Sequence, residues 1–382
     1  MLKMQNDTTF DVAIIGGGLA GLALSIQCVK AGFTTILFEK EIYPFHRVCG
    51  EYISLESWDF LKALGLPVLE MRLPVISRLL VTAPNGNKIE HQLDLGGFGI
   101  SRHLIDYELY KLAQAAGVIV KEGVKVDDII YENNSFTIGS SIGNIQAAIA
   151  AGCFGKRSNI DVKWKRKFVM GKKKRLNNFI GVKYHIRTEW PDDLIALHNF
   201  KDGYCGISKI EDGKCCLCYL TTSQNLKRNE NSIAGLEENV LQANPHLKNI
   251  LNNADKFFAE PVTIAQISFD RKKQVENHML MIGDAGGMIA PLCGNGMSIA
   301  LHGSKLAYQS IEKYLQTTIS REEMEIQYSR DWKSQFSKRL AMGRIIQQLF
   351  GKKWVTNLFI AFLKPFPRFI NYLVKQTHGK PF

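Results

Sequence analysis

The sequence predicts an α/β protein with two interleaved domains, one built on a parallel sheet and one on a mixed β-sheet, followed by a helical carboxyl-terminal region. A strand, a glycine-rich turn, a helix and a second strand occupy the first forty residues, which is the order of a βαβ unit. Residues 178–275 alternate apolar and polar positions, as half-buried strands do. No repeat or low-complexity linker separates these regions, so we expect the domains to interleave.

The amino-terminal elements carry clear local signals. Residues 11–15, DVAII, predict a buried strand, and the segment after Gly18 keeps the apolar spacing of a helix that Gly32 ends. Residues 34–39, TTILFE, predict the second strand. Together they indicate a nucleotide-binding βαβ unit if the turn between strand and helix has the right glycines.

Hairpins and one helix follow this unit. Asn85-Gly86 and Asn133-Asn134 have the composition of hairpin turns. Residues 101–117 predict an amphipathic helix that closes on Gly117, and residues 144–152 predict a further buried strand.

The later β-rich region has its own turn signals at Asp202-Gly203 and Asp212-Gly213, with one helix expected near 232–243. We place the first domain at 1–177 and 276–320, with inserted β-hairpins. The β-rich substrate domain is placed at 178–275 and a basic helical region at 321–382.

Composition excludes several classes of protein. The 382 residues, of which 46% are apolar and 22% charged, are typical of a globular chain. The amino terminus lacks a basic segment before a long apolar run, so we expect no signal peptide and free thiols in a reducing cytoplasm. The eight cysteines show no metal-ligand spacing, and we expect no metal site.

The first glycine cluster predicts a dinucleotide site in a Rossmann-like domain. Gly16, Gly18 and Gly21 fit G-x-G-x-x-G between a strand and a helix, where they permit a tight turn, close approach of a pyrophosphate and close helix packing. Glu39 ends the next strand at the position expected for a ribose hydroxyl contact. A carboxylate there favours a ribose with free hydroxyls, and so FAD or NAD rather than NADP.

A second glycine-rich segment favours FAD. Residues 283–298, GDAGGMIAPLCGNGMS, contain five glycines between an apolar run and a helix-like segment. An NAD domain does not require such a segment, whereas FAD is long enough to need a second wall for its ribityl chain and ring. The helix start after this segment would stabilise negative charge on the reduced ring.

This segment resembles the GD motif of the FAD-dependent geranylgeranyl reductase and aromatic hydroxylase (p-hydroxybenzoate hydroxylase-like) superfamily. The resemblance implies that Asp284 bonds the ribityl and ribose hydroxyls of FAD. It also implies that the turn after the proline presents backbone N–H groups to the pyrimidine edge of the ring. The residues of this turn are Pro291, Gly294, Asn295, Gly296 and Met297.

Two more segments extend the resemblance. Residues 100–118 are similar to the family helix whose arginine reaches the flavin, which makes Arg102 a candidate, with a surface ion pair as the alternative. Residues 44–54, PFHRVCGEYIS, are similar to the R-x-C-G segment of the reductase branch. This assigns Arg47 to the cofactor and places Cys49 and Gly50 by the reactive face of the ring. Cys49 is the candidate catalytic residue, with a buried structural thiol as the alternative.

Other family motifs are altered. Residues 150–159, AAGCFGKRSN, replace the A-D-G-x-x-S-x-x-R segment associated with nicotinamide binding. NAD(P)H is therefore only a candidate electron donor, with Lys156 and Arg157 as candidate phosphate contacts. The prenyl-site motif Y-x-W-x-F-P keeps only its tyrosine, Tyr204, and the halogenase segment W-x-W-x-I-P is absent. His46 and His302 lie near the cofactor segments and are expected to be hydrogen-bonding supports.

The sequence therefore predicts an FAD-dependent oxidoreductase that acts on a lipophilic substrate. An external donor reduces the flavin, and the enzyme then reduces a C=C bond. The alternatives are a monooxygenase that hydroxylates an aromatic or polyene substrate and, in another class, a basic non-catalytic protein that binds nucleic acid or membrane.

The net charge of +12 is concentrated in two segments. Residues 156–175 hold ten Lys/Arg against one Asp, and the chain after Asp331 has ten Lys/Arg, many aromatics and no acidic residue. A membrane surface, an acidic carrier protein and a solvated basic face are the alternatives. No recognition motif for nucleic acid accompanies the charge. No apolar run reaches about 18 residues, so we expect a cytoplasmic protein, with peripheral attachment at the inner face of the membrane as the alternative.

Overall fold

The computed structural model describes residues 9–170, 178–349 and 352–382. Part of the basic cluster at 156–175 lies outside the described residues. The strands, in chain order, are β1 (Thr9–Ile15), β2 (Thr35–Phe38), β3 (Tyr52–Ser54), β4 (Val75–Thr82), β5 (Lys88–Gly99), β6 (Ile119–Lys121), β7 (Val126–Glu132), β8 (Ser135–Ser140), β9 (Gly143–Gly152), β10 (Phe179–Arg187), β11 (Leu194–Phe200), β12 (Gly203–Lys209), β13 (Cys215–Thr222), β14 (Asp255–Lys256), β15 (Val262–Ile267), β16 (Val275–Glu276) and β17 (Met279–Met281). The helices are α1 (Leu19–Lys30), α2 (Trp58–Leu64), α3 (Arg102–Ala115), α4 (Asn159–Lys163), α5 (Lys167–Met170), α6 (Ser223–Arg228), α7 (Ile233–Asn239), α8 (Pro245–Asn253), α9 (Gly296–Leu315), α10 (Arg321–Leu349), α11 (Lys353–Leu363) and α12 (Pro367–Thr377).

The first sheet is built around parallel strands, as the sequence predicts. Its order is β16-β17-β9-β1-β2-β6, and β1 pairs in parallel with both β2 and β9. The β7–β8 hairpin joins the sheet by antiparallel pairing of β8 with β9, and its turn residues Asn133 and Asn134 both have positive φ. Apolar residues of α1, α3 and α9 form one core with β1, including Leu22, Leu109 and Leu301.

The second sheet is mixed and takes strands from two separate parts of the chain. Its order is β14-β10-β13-β12-β11-β4-β5-β3, and β15 pairs with β10 on the same edge as β14. From the sequence we expect the β4–β5 hairpin to belong to the first domain. Instead, β4 pairs in parallel with β11, because the turn at Asn85-Gly86 determines the hairpin but not the sheet that the hairpin joins. The domain boundaries themselves stay a prediction.

The β-rich region contains more helix than the single element expected near 232–243. Three short helices, α6, α7 and α8, follow β13. Each begins at a side chain that caps a backbone N–H: Thr222 for α6, Ser232 for α7 and Asn244 for α8. These are ordinary N-cap residues, and Pro245 occupies the first turn of α8. The cap residues are therefore a sequence signal that the apolar periodicity alone does not contain.

The carboxyl-terminal region is helical, as predicted, and covers one end of the second sheet. Residues of α11 and α12 pack against the β4–β5 hairpin in a cluster of Ala83, Ile89, Ile360, Leu363 and Ile370. In the described part of the chain, no helix is both long and apolar enough to cross a bilayer.

Candidate active site

A single large cavity extends from the glycine turn of the first sheet to the second sheet and the carboxyl-terminal helices. Its volume is about 1110 Å³, above the range of about 300–1,000 Å³ that is usual for a site holding one small molecule. The glycine turn, the loop at 45–52, the segment at 153–160 and the segment at 282–300 all contribute residues to its wall. The cavity is therefore large enough for a cofactor together with a substrate.

The glycine turn has the conformation that the G-x-G-x-x-G pattern predicts. Gly16 has φ +109°, and a Cβ on Gly21 would lie 2.0 Å from the carbonyl oxygen of Gly16, so helix and turn can pack only with glycine there. Gly18 is the N-cap of α1, where no side chain caps the helix and the first turn contains no acidic residue. The free N–H groups of this helix start point to an anion site that opens onto the cavity.

Glu39 is held beside this turn. Its carboxylate is buried, and Oε2 accepts hydrogen bonds from the backbone N–H of Gly17 and from Nη2 of Arg47, both at 2.8 Å. Oε1 accepts from the backbone N–H of Glu41 at 3.1 Å. These donors fix the carboxylate at the end of β2, where its remaining lone pairs can accept from ribose hydroxyls.

Arg47 and Arg102 converge on the same place through Asp106. Arg102 donates two hydrogen bonds to the buried carboxylate of Asp106, at 2.8 and 2.6 Å, and Nε of Arg47 lies 3.5 Å from the same carboxylate. Arg102 lies against Gly18, because a Cβ on that glycine would be 3.3 Å from its Nη2. Asp106 thus orients two guanidinium groups toward the anion site. Sequence reasoning missed Asp106, although its i,i+4 spacing from Arg102 is visible.

The predicted GD segment forms the opposite wall. It follows β17 as a short 3₁₀ turn over Gly283–Ala285, with Gly283 at φ +62°, and Asp284 lines the cavity half-buried. Lys272 holds this turn by donating to the carbonyl oxygens of Asp284, at 2.7 Å, and Lys156, at 2.8 Å. Burial lowers the pKa of Lys272 to about 8, although the nearby negative charge of Asp284 acts to raise it.

The second half of that segment brings another helix start to the cavity. Gly294 has φ +66°, and a Cβ there would lie 3.1 Å from the ring of Tyr52. The helix α9 begins at Gly296 without a side-chain cap, and Pro291, Gly294, Gly296 and Met297 line the cavity. Asn295 is the exception, since its side chain does not line the cavity and instead donates to the carbonyl oxygen of Thr377 at 3.0 Å.

These residues fit FAD. Two helix starts without side-chain caps open onto one cavity. Glycine occupies places in the wall where a Cβ would narrow the cavity. A Cβ on Gly50, for example, would have no atom within 4 Å and would project into open space. In this assignment α1 and Arg102 would hold the pyrophosphate. Glu39 would hold the adenosine ribose, Asp284 would hold the ribityl chain, and the α9 start and Gly50 would lie beside the ring.

Comparison with known proteins supports FAD as the cofactor. The model of the family described as FAD binding domain matches residues 11–44. The chain is 22% identical to Conditioned medium factor receptor 1 of Dictyostelium discoideum, over 90% of this chain and 71% of the relative. It is 25% identical to a digeranylgeranylglycerophospholipid reductase of Methanococcus vannielii, over 87% and 85% of the two chains. A geranylgeranyl bacteriochlorophyll reductase-like structure from Thermoplasma acidophilum matches with a TM-score of 0.78 at 16% identity, covering 98% of this chain and 97% of that one.

By motif, sequence and fold, the chain is an FAD-dependent oxidoreductase. Its similar proteins also include a kynurenine 3-monooxygenase and flavin-dependent halogenases. These relatives carry out different reactions, so the type of reaction has to be argued from the rest of the site.

One face of the second sheet forms the other part of the oxidoreductase's cavity. A row of directly paired residues crosses five neighbouring strands, and each member lines the cavity. The row is Ile89 on β5, Val81 on β4, Leu197 on β11, Gly206 on β12 and Cys218 on β13. Residues paired across a sheet point to the same face, so this row forms a continuous, mostly apolar floor, which we call the apolar arm. Residues of α11 and α12 close it from above.

The next residue of the row belongs to a buried charged cluster that the sequence analysis missed. Lys183 on β10 pairs in the sheet with Cys218, and its Nζ donates to Oε1 of Glu51 at 2.5 Å. Oε2 of Glu51 lies 2.6 Å from Nε2 of His185, and Oε1 also accepts from the backbone N–H of Arg102 at 2.8 Å. The sequence signal that could have revealed this cluster is the pair Lys183 and His185, at alternate positions of a strand that is mostly apolar before Arg187.

Glu51 connects the flavin segment to the substrate sheet. It follows Cys49 and Gly50 directly and has φ +56°, a conformation that a non-glycine residue keeps only where its surroundings fix it. Burial raises its pKa, but the hydrogen bond from His185 and the charge of Lys183 outweigh burial and lower it to about 2. The loop that carries Cys49 is thus anchored at once to β10 and to the start of α3.

The thiol of Cys216 lies near two other possible metal ligands, but all three side chains are already hydrogen-bonded. The Sγ of Cys216 lies close to Glu51 and His185, but both oxygens of Glu51 already accept hydrogen bonds. Cys216 donates to the carbonyl oxygen of Cys49 at 3.3 Å, and burial raises the pKa of Cys216, which disfavours the thiolate that a metal needs. Cys49 itself is half-buried and lines the cavity.

The remaining predicted contacts fall on two sides of the site. His46 lines the cavity, and its ring stacks on His103 with a centroid distance of 4.6 Å. Burial and the charge of Lys183 lower the pKa of His46 to about 4. His302 instead stacks on Phe382, at 4.1 Å, away from the cavity wall. Lys156 and Arg157 do line the cavity.

Proposed function

We propose that this flavoenzyme reduces carbon–carbon double bonds in a lipid with a long apolar chain. The observation that carries the proposal is the apolar arm, which is continuous with the cofactor end of the same cavity. A substrate chain lying in the arm has its end beside the loop that carries Cys49 and Gly50. A buried apolar channel of this kind selects for hydrocarbon, because burial of apolar surface drives its occupation.

The length of the arm supports a long-chain substrate. Four strand spacings separate Cys218 on β13 from Ile89 on β5. At about 4.8 Å for each spacing, the arm is about 19 Å long. An extended isoprenoid or acyl chain fits this length, and a single aromatic ring would leave most of it unfilled. The 25% identity to a digeranylgeranylglycerophospholipid reductase, over most of both chains, points the same way.

The residues of the site divide the work between binding and proton supply. Bound FAD would supply a hydride after reduction by an external donor. Glu39, Arg47 and Arg102 would hold its adenosine diphosphate half, and Asp284 and the α9 start would hold its other half. Saturation of a double bond also needs a proton, and Cys49 Sγ is the proton donor that we assign to that step. Lys156 and Arg157 would contact the phosphates of NAD(P)H if that is the donor.

A membrane would present such a substrate. Peripheral attachment at the inner face of the membrane would place lipid chains within reach of the arm, and α11 and α12 are the elements that lie between the arm and the surroundings. An acidic carrier protein docked on the basic segment at 163–175 is the other route by which a hydrophobic substrate could arrive.

A single-turnover experiment without oxygen tests the reaction. The FAD-loaded protein is reduced with dithionite and mixed with a detergent-solubilised phospholipid that carries polyprenyl chains. We expect the flavin absorbance to return without oxygen and the lipid to gain two hydrogen atoms for each bond reduced. Cys49→Ala should slow this return at least about tenfold and leave FAD binding unchanged.

Two outcomes would contradict the proposal. Flavin that stays reduced without oxygen, combined with a hydroxylated product in air, would favour the monooxygenase alternative. A protein that remains colourless after addition of FAD would remove the assignment of the cofactor. In the second case the Gly16–Gly21 turn and the Asp284 segment would need another ligand.

A further inference from the structure

The outer surface of α11 and α12 is unusually apolar. Trp354, Leu358 and Phe362 follow one another at four-residue spacing on α11, with exposed fractions of 72%, 65% and 60%. Phe366, Phe369 and Tyr372 continue the row across the turn and along α12, and all three are exposed. The rings of Phe362 and Phe366 lie 5.3 Å apart. A contiguous apolar surface of this kind marks an interaction site.

Basic side chains border this row. Lys352, Lys364 and Arg368 are exposed, and Lys375 is exposed and paired with Asp94 at 2.8 Å. The chain has no acidic residue after Asp331, so α11 and α12 carry no negative side chain of their own. The partner of this surface is therefore expected to be both apolar and anionic.

The inner surface of the same two helices closes the apolar arm. The residues of these helices that line the cavity are Phe359, Ile360, Leu363, Ile370, Leu373, Val374 and Thr377. One layer of helix, about 10 Å thick, thus separates the exposed aromatic row from the apolar arm.

We propose that α11 and α12 dock on the surface of an anionic bilayer and admit a lipid from it into the apolar arm. The aromatic row would lie among the acyl chains, and the lysine and arginine side chains would contact the anionic headgroups. Tryptophan and tyrosine, here Trp354 and Tyr372, are enriched at the membrane–water interface. The entry of a lipid rests on the proposed reductase function, whereas the docking itself does not.

Vesicle binding tests the docking. FAD-loaded wild-type protein is sedimented with vesicles of phosphatidylcholine alone and with vesicles that also contain phosphatidylglycerol. We expect binding to the anionic vesicles that weakens as salt is added. Leu358→Gln/Phe362→Gln should weaken binding at least about tenfold, and Lys364→Glu/Arg368→Glu should abolish the preference for anionic lipid. Ile142→Gln, at an exposed apolar side chain on the β8–β9 turn, is the matched control and should bind as wild type does.

Activity with two forms of substrate separates the two proposals. The Leu358→Gln/Phe362→Gln protein should reduce detergent-solubilised lipid at the wild-type rate and lose at least about tenfold with lipid in vesicles. Equal vesicle binding by this variant and wild type would overturn the docking proposal. Wild-type protein that self-associates without binding vesicles, or that binds a polynucleotide in place of vesicles, would also overturn it. Vesicle binding without reduction of either form of lipid would support docking and reject the proposed function.

Discussion

At the scale of single residues, Glu51 shows how the site is held together. Its carboxylate is fully buried, and its three donors come from β10 and from the start of α3. The charge of Lys183 is also buried, and the interaction with Glu51 keeps its pKa raised despite burial. A pair of this kind contributes little net stability compared with an apolar pair, but removal of one partner leaves the other charge uncompensated.

This asymmetry gives a prediction for the pair. We expect Lys183→Met to lower the free energy of unfolding by about 3–5 kcal/mol, because it leaves the Glu51 carboxylate buried beside an apolar side chain. The double variant Lys183→Met/Glu51→Gln should be more stable than the sum of the single effects predicts. Urea unfolding without FAD of the wild type, Lys183→Met, Glu51→Gln and the double variant measures this coupling. Strictly additive effects would contradict the view that the two groups act as a unit.

The residues that sequence reasoning recovered are those whose signal is local. Gly16, Gly18, Gly21 and Glu39 lie within one βαβ unit, and their spacing alone predicts the turn, the helix start and the carboxylate beside it. Two of the three donors to Glu51, Lys183 and His185, lie more than 130 residues away in the sequence. No spacing rule connects Glu51 with β10, because that contact exists only after both sheets have formed.

At the scale of elements, the strand–turn–helix unit separates two roles of glycine. A Cβ on Gly21 would collide with the backbone oxygen of Gly16, which cannot move without displacing the turn. A Cβ on Gly18 would meet only the end of the Arg102 side chain, and the φ of Gly18 is −85°, which alanine adopts freely. Gly21 is thus needed by the fold, and Gly18 is needed by whatever binds at the helix start.

The two alanine variants should therefore behave differently. We expect Gly21→Ala to destabilise the protein even without FAD. Gly18→Ala should cost about 1 kcal/mol or less, from the weaker N-cap, yet weaken FAD binding at least about tenfold because its methyl group projects toward the pyrophosphate. Thermal unfolding without FAD and titration by quenching of flavin fluorescence give the two quantities. Wild-type FAD affinity in Gly18→Ala would place the pyrophosphate elsewhere.

At the scale of the whole molecule, the cavity exists because two separate parts of the chain, β3–β5 and β10–β15, build the second sheet. The β4–β5 hairpin joins this sheet by pairing with β11, and α11 and α12 pack against the hairpin. Turn chemistry predicts the β4–β5 hairpin, and composition predicts the basic helices. The pairing of β4 with β11 joins strands more than 100 residues apart, so the cavity between the two domains could not be predicted from local patterns.

Gly206 offers a test of whether this cavity holds the substrate. It is the fourth of the five residues of the apolar arm, next to Cys218, and a Cβ there would make only ordinary contacts, 3.7 Å from the carbonyl oxygen of Cys218 and 3.8 Å from Leu197. Gly206→Ala should therefore fold and act almost as wild type does. Gly206→Leu should also fold and bind FAD, but its side chain would extend into the arm and divide it. We expect kcat/KM for a long-chain lipid to fall at least about tenfold, with less effect on a short-chain analogue. Displacement of a fluorescent long-chain lipid measures the same block without catalysis, and unchanged displacement by Gly206→Leu would place the substrate chain outside the arm.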